Sequence, residues 1–215
     1  MHLSFRKKIL IAVQHRDAKE MRALIAELDR RKPRSVGLEL REDYGTCFTK
    51  VDYFGDIHNH LRAKGVDIVL LEKPELWEET HAVQISKAMR EGHFRFEEIQ
   101  AHLAKVRSRL AEVGRYGAPE VCIPLRGQKR RLERFLEINA EYPTIEQLIA
   151  RMKELASLRS DYDAGRVIET MPDIAVVGLS HAVEMIGRLK GYYELIAFNC
   201  KIEDAKGELV TMLGF

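Results

Sequence analysis

Ile9-Leu10-Ile11-Ala12-Val13 is a continuous apolar run with no alternation of polar and apolar residues. That is the pattern of a strand covered on both faces, as in a parallel sheet. Asp17-Ala18-Lys19-Glu20 follows, an acidic N-cap with Glu three residues on, which is a capping-box pattern. Met21, Leu24, Ile25 and Leu28 then recur at helical spacing, and Pro33 closes the helix. Val36 to Leu40 reads as a second strand. A strand, a helix and a strand in this order predict parallel pairing through a right-handed crossover.

Outward from this unit the same reading continues. Tyr53 to Lys64 predicts a helix with Phe54, Ile57 and Leu61 on one face and Gly65 as its stop. Val66 to Leu71 is a third strand. Helices are expected over Glu75 to Arg90 and Phe94 to Val113, with a loop over Gly114 to Pro124, which holds two Gly and two Pro. Gly127 to Asn139 reads as a basic helix, Thr144 to Leu158 as a helix capped by Thr144, and Asp161 to Thr170 as a further helix. After Pro172, Ile174 to Leu179 is a fourth buried strand. Ser180 caps a helix from His181 to Lys190, Gly191 ends it, and Tyr192 to Phe198 is a fifth strand. The expectation is a single α/β domain over residues 1–215. Its sheet is mainly parallel, with about five strands, and is covered by helices. A helix-rich middle block over residues 75–170 serves as cover or lid.

Composition narrows the function classes. The 215 residues are 46% hydrophobic and 32% charged, ordinary for a globular chain with charge on the high side. Thirty-five Lys and Arg against 33 Asp and Glu leave a formal charge of +2, no basis for a nucleic-acid or anionic-membrane partner. Cys47, Cys122 and Cys200 are far apart and form no CxxC, which argues against a disulfide scaffold or a zinc knuckle and fits a reducing cytosol. No segment is long and apolar enough to span a bilayer. Gly-x-Ser-x-Gly, P-loop and dinucleotide fingerprints are absent, so serine esterase, NTPase and dehydrogenase readings lack support.

In open parallel sheets, ligands bind beyond the carboxyl ends of the strands. The first strand ends Val13-Gln14-His15, the second carries Glu39 near its end, and the fourth ends Gly178-Leu179-Ser180-His181. Two imidazoles and a carboxylate suit a borderline divalent metal with open positions, which can acidify a bound water. His181 falls in the first turn of its helix, where the dipole disfavours imidazolium. Glu39 is the odd residue in an otherwise dry strand and needs a cation or several donors. Arg41, Glu72, Arg159 and Asp161 are further candidates for substrate contact or for support of the first three.

Residues 12–45, AVQHRDAKEMRALIAELDRRKPRSVGLELREDYG, resemble the opening of the TraB/GumN/PrgY-like family: a strand ending Gly-x-x-His, a helix, and a strand ending Glu-Leu. Residues 172–191, PDIAVVGLSHAVEMIGRLKG, resemble its closing Gly-x-x-His motif and helix. Ala12 stands where the first motif has glycine. The wider group includes Tiki-type metalloproteases, erythromycin esterases and ChaN-like haem-binding proteins. The resemblance implies that the paired histidines fall on His15 and His181 and the acidic residue on Glu39. It also implies a hydrolase of peptide or ester bonds using manganese, cobalt or zinc. The alternative it leaves is a non-catalytic protein holding a small ligand or haem. A third reading makes the charged helices from Glu75 to Val113 an assembly face, with a homo-oligomer as its product.

Two other signals have plainer readings. Asp56-Ile57-His58-Asn59-His60 is an Asp-x-His-x-His string, but on a helix its two histidines diverge. Arg126, Lys129, Arg130, Arg131 and Arg134, with Arg107, Arg109 and Arg115 upstream, are interleaved with Glu133 and Glu137. They read as a solvated helix face.

Overall fold

The computed structural model describes residues 8–15, 17–44, 53–93, 95–114 and 119–198. Cys47, Cys200 and Arg115 lie outside the described residues. In chain order the elements are β1 (Lys8–Val13), α1 (Ala18–Arg31), β2 (Ser35–Arg41), α2 (Tyr53–Ala63), β3 (Asp67–Glu72), α3 (Pro74–Arg90), α4 (Phe96–Gly114), α5 (Pro119–Glu141), α6 (Ile145–Thr170), β4 (Ile174–Gly178), α7 (Leu179–Leu189) and β5 (Tyr193–Ala197). The chain divides into two compact units. One is Met1–Glu42, Val51–Lys73 and Ser157–Phe215; the other is Asp43–Lys50 and Pro74–Ala156.

The first unit is an α/β sheet domain. Its five strands are all parallel, in the order β3-β2-β4-β1-β5. Parallel alignment of β1 and β2 is as their β-α-β reading requires, but they are not neighbours. β4 lies between them, with Ile174 opposite Ile9 on one side and Val36 on the other. All five β4 residues are buried, so burial is greatest where β4 has a partner on each edge. Asp17 caps α1 as the sequence predicts, accepting from the amides of Lys19 and Glu20. The helix stops at Lys32, left-handed at φ 49°, immediately before Pro33.

Alternate residues of the strands face two covers. On one face Leu10, Ala12, Leu71, Ala175 and Val177 join Ala164 and Val167 of α6 and Leu179, Ala182, Met185 and Leu189 of α7 in one buried cluster. Leu24 and Leu28 of α1, and Phe54, Ile57 and Leu61 of α2, are buried as well. α2 packs against β2 and β3.

Three boundaries differ from the sequence reading. Residues 145–170 form one continuous helix, because nothing between Leu158 and Asp161 breaks the backbone hydrogen bonding. Pro119 to Pro124 is helical: Pro119 opens the helix, where its missing N–H has no intrahelical partner to lose, and Pro124 lies inside it at the expense of one hydrogen bond. α7 starts at Leu179 with Gly178 as its N-cap and no side-chain cap bond, so Ser180 is within the helix.

The second unit is helical. α5 packs against both α3 and α4, around buried Phe135 and Ile138. The basic segment is largely paired within it: Arg130 reaches Glu78 at 2.5 Å, Lys129 reaches Glu133 at 3.5 Å, and Arg134 reaches Glu79 at 3.2 Å. No helix among the described residues is long and apolar enough to cross a membrane.

Candidate functional site

The sheet order places the site. From β1 and β2 the chain leaves toward β3, whereas from β4 it leaves the other way, toward β5. Such a reversal opens a crevice beyond the strand ends. His15, Glu39 and His181 all belong to this edge of the first unit.

Glu39 sits at an irregularity. β2 runs in register with β4 only as far as Leu38, and its register with β3 shifts between Leu38 and Arg41. A bulge of this kind re-aims a side chain at a strand end. The carboxylate is 8% exposed. Its Oε2 accepts the backbone N–H of Gly178, and its Oε1 lies 3.2 Å from an Arg159 guanidinium nitrogen. The same nitrogen donates to Glu72 Oε1. Burial by itself would raise the Glu39 carboxyl, but His181, His15, Arg159 and the Gly178 N–H together hold it below the usual range. The His181 contribution exists only when that ring is charged. At neutral pH the Arg159 charge and the Gly178 amide therefore carry much of the effect.

His181 stands in the first turn of α7 and is 8% exposed. Its Nδ1 is 2.8 Å from Ser160 Oγ, and its Nε2 faces Glu39 Oε1 at 3.6 Å, beyond hydrogen-bond range. Burial pushes its pKa down to about 4, with Arg159 and His15 acting in the same direction and Glu39 opposing. The ring is therefore neutral at neutral pH, with a nitrogen able to take a proton or a ligand.

His15 completes the cluster from β1. It is exposed and left-handed at φ 55°, a conformation that costs energy outside glycine and often marks a working residue. Its ring stacks on Tyr53 at 5.2 Å and meets the edge of Phe54 at 4.5 Å. Gly178 lies against both Glu39 and His15: a Cβ on it would lie 3.1 Å from Glu39 Oε2 and 3.3 Å from His15 Nε2.

The further candidates separate. Glu72, 4% exposed, and Arg159 are part of the cluster through their shared contact. Arg41 is buried past the bulge, opposite Glu72 in register. Asp161 instead pairs with Arg188 at 2.5 Å, both side chains about half exposed. Ser160 and Asp163 were missed. With Ala164 and Val167 they form a buried i, i+3, i+4, i+7 stripe on α6. Polar residues in such a stripe are the signal, and dividing the helix near Leu158 hides it. His58 and His60 lie on α2, as the spacing predicts, and His60 turns to Asp29 at 3.1 Å.

Two features bear on whether a divalent ion could be held here. His181 is neutral, and the missing side chain of Gly178 leaves a cradle between Glu39 and His15. Among the described residues no three or more His, Cys, Asp and Glu are already grouped at metal-holding geometry, and the Arg159 cation contacts Glu39 directly.

Fold and site together define a parallel α/β protein with a His-Glu-His cluster at its topological switch point. Compared with protein-family models, curated proteins and solved structures, the chain has no match.

Proposed function

We propose that this chain is a TraB-like hydrolase acting on a peptide or ester bond, with His15, Glu39 and His181 as its working groups. One observation carries the reading: a carboxylate held ionised in a dry site lies against a neutral imidazole, with an exposed histidine at the rim. An ionised carboxylate can accept a proton from water, and with its pKa held low Glu39 relies on position rather than basicity to do so. Glu39 takes a proton from water as the water oxygen attacks the acyl carbon. His15, at the exposed edge, passes a proton to the departing oxygen or nitrogen. Ser160 fixes the His181 ring so that Nε2 faces the reacting groups. Used instead as ligands, His15, Glu39 and His181 would have to close around a divalent ion such as manganese, cobalt or zinc, which would then acidify the attacking water.

The test is hydrolysis of a panel of esters and peptides, alongside metal content by elemental analysis. Glu39→Gln, His15→Ala and His181→Ala are each expected to lower the rate by roughly a hundredfold or more. They are also expected to reduce retained manganese, cobalt or zinc. Variants that match the parent in both measurements would sink the proposal. A Soret band on haem addition, with no hydrolysis, would favour the ligand-binding alternative.

A further inference from the structure

Asp163 is the most deeply buried acid near the site and has no place in the chemistry above. It lies on α6 one turn after Arg159 and is 1% exposed. Among the described residues neither of its carboxyl oxygens has a hydrogen-bond partner, and Arg159 Nε has none either. Buried polar groups are almost always paired, so three orphaned atoms one helical turn apart are informative. An ionised carboxylate without donors at that depth would cost several kcal/mol. Its surroundings therefore favour the neutral form over the ionised one.

The surrounding charges explain why. Two buried carboxyls, Glu39 from β2 and Glu72 from β3, contact the Arg159 guanidinium, and Asp163, one turn further along α6, feels the charges of both Arg159 and Glu39. Arg159 is committed to the first two. An Arg and an Asp four apart on a helix are neighbours and pair readily when both are charged. An ionised Asp163 would thus compete directly for the guanidinium. On α7, His181 faces the same region and is joined to α6 through Ser160. Burial and the Glu39 charge both raise the Asp163 pKa well above its ordinary value, and Arg159 works against them.

We propose that Asp163 is a positioning residue of the site: its neutral carboxyl leaves Arg159 to Glu39 and Glu72, and its ionisation as the pH rises draws Arg159 away and switches the site off. The consequence for catalysis rests on Glu39 being the working carboxylate. The behaviour of Asp163 and Arg159 does not.

Two measurements on the whole chain follow the pair without any substrate. Infrared spectra with labelled aspartate should show a protonated carboxyl band at neutral pH that disappears in Asp163→Asn. The Arg159 Nε–H resonance should move as the pH rises in the wild type and stay fixed in Asp163→Asn. If the variant does not fold, the band in the wild type alone decides. No such band at neutral pH, or an Arg159 resonance that ignores pH, overturns the proposal. The third measurement is kcat/KM against pH on whichever ester or peptide the protein hydrolyses. The wild type should lose roughly tenfold on an alkaline limb that Asp163→Asn lacks. An alkaline limb shared by both proteins also overturns the switch. An absence of hydrolysis with the spectroscopic changes intact refutes the proposed function and leaves the Asp163–Arg159 coupling standing.

Discussion

Glu39 and the groups that hold it set the behaviour of individual residues. Arg159 is the counter-ion of both Glu39 and Glu72. Replacing it by Met leaves two buried carboxylates without that cation, and the expected loss of stability is about 3–5 kcal/mol, measured by urea unfolding. His181 makes stability depend on pH. An unfolded chain protonates this histidine near 6.5, the folded chain only near about 4. Between those values the unfolded state binds the extra proton, so stability falls as the pH falls, by on the order of 3 kcal/mol for a full shift. His181→Gln should have a visibly flatter melting temperature over this acid range; an equal slope would show that the ring is not held neutral. Gly178 offers a sharper separation of fold from site. Its φ of −58° suits alanine, so no backbone strain arises. The added methyl would press on Glu39 Oε2 and His15 Nε2. Gly178→Ala should therefore keep its melting temperature within a few degrees yet lose roughly tenfold or more in hydrolysis.

At the scale of elements, α6 and α2 show how a helix decides what a motif means. α6 brings Arg159, Ser160 and Asp163 to the site with one buried stripe, while Asp161, one residue on from Ser160, points to the surface and pairs with Arg188. Adjacent positions on a helix diverge by about 100°, so sequence neighbours have opposite fates. The Asp-x-His-x-His string on α2 fails as a metal motif for the same reason. His60 turns to Asp29, and His58 contacts Asn59 at 3.3 Å. Metal content by elemental analysis should be the same in a His58→Ala/His60→Ala variant as in the parent, in contrast to His15→Ala. The bulge in β2 has the converse role: it breaks the regular pattern and so aims Glu39 at the Gly178 amide.

At the scale of the molecule, the sheet is built from non-local pairs. β4 holds β1 to β2, and it arrives more than a hundred residues after both. A chain ending at Thr170 loses β4 and β5 together. It should fail to form the sheet, seen as collapsed amide dispersion by NMR, because β1 and β2 have no direct pairing to fall back on. The five strands, their parallel direction and the N-cap at Asp17 were legible because each is written in a short window: an unalternating apolar run, or an acid three residues before Glu20. Glu39 was legible as a charge in a dry strand, and His15 and His181 as strand-end residues. What sequence alone determined about this protein was therefore local: which segments are strands and helices, and which polar groups end up at strand ends. Strand order, the bulge, the Arg159 bridge and the buried Asp163 were decided only by the tertiary structure. They depend on contacts between residues far apart in the chain, and local periodicity carries no information about which distant segments become neighbours.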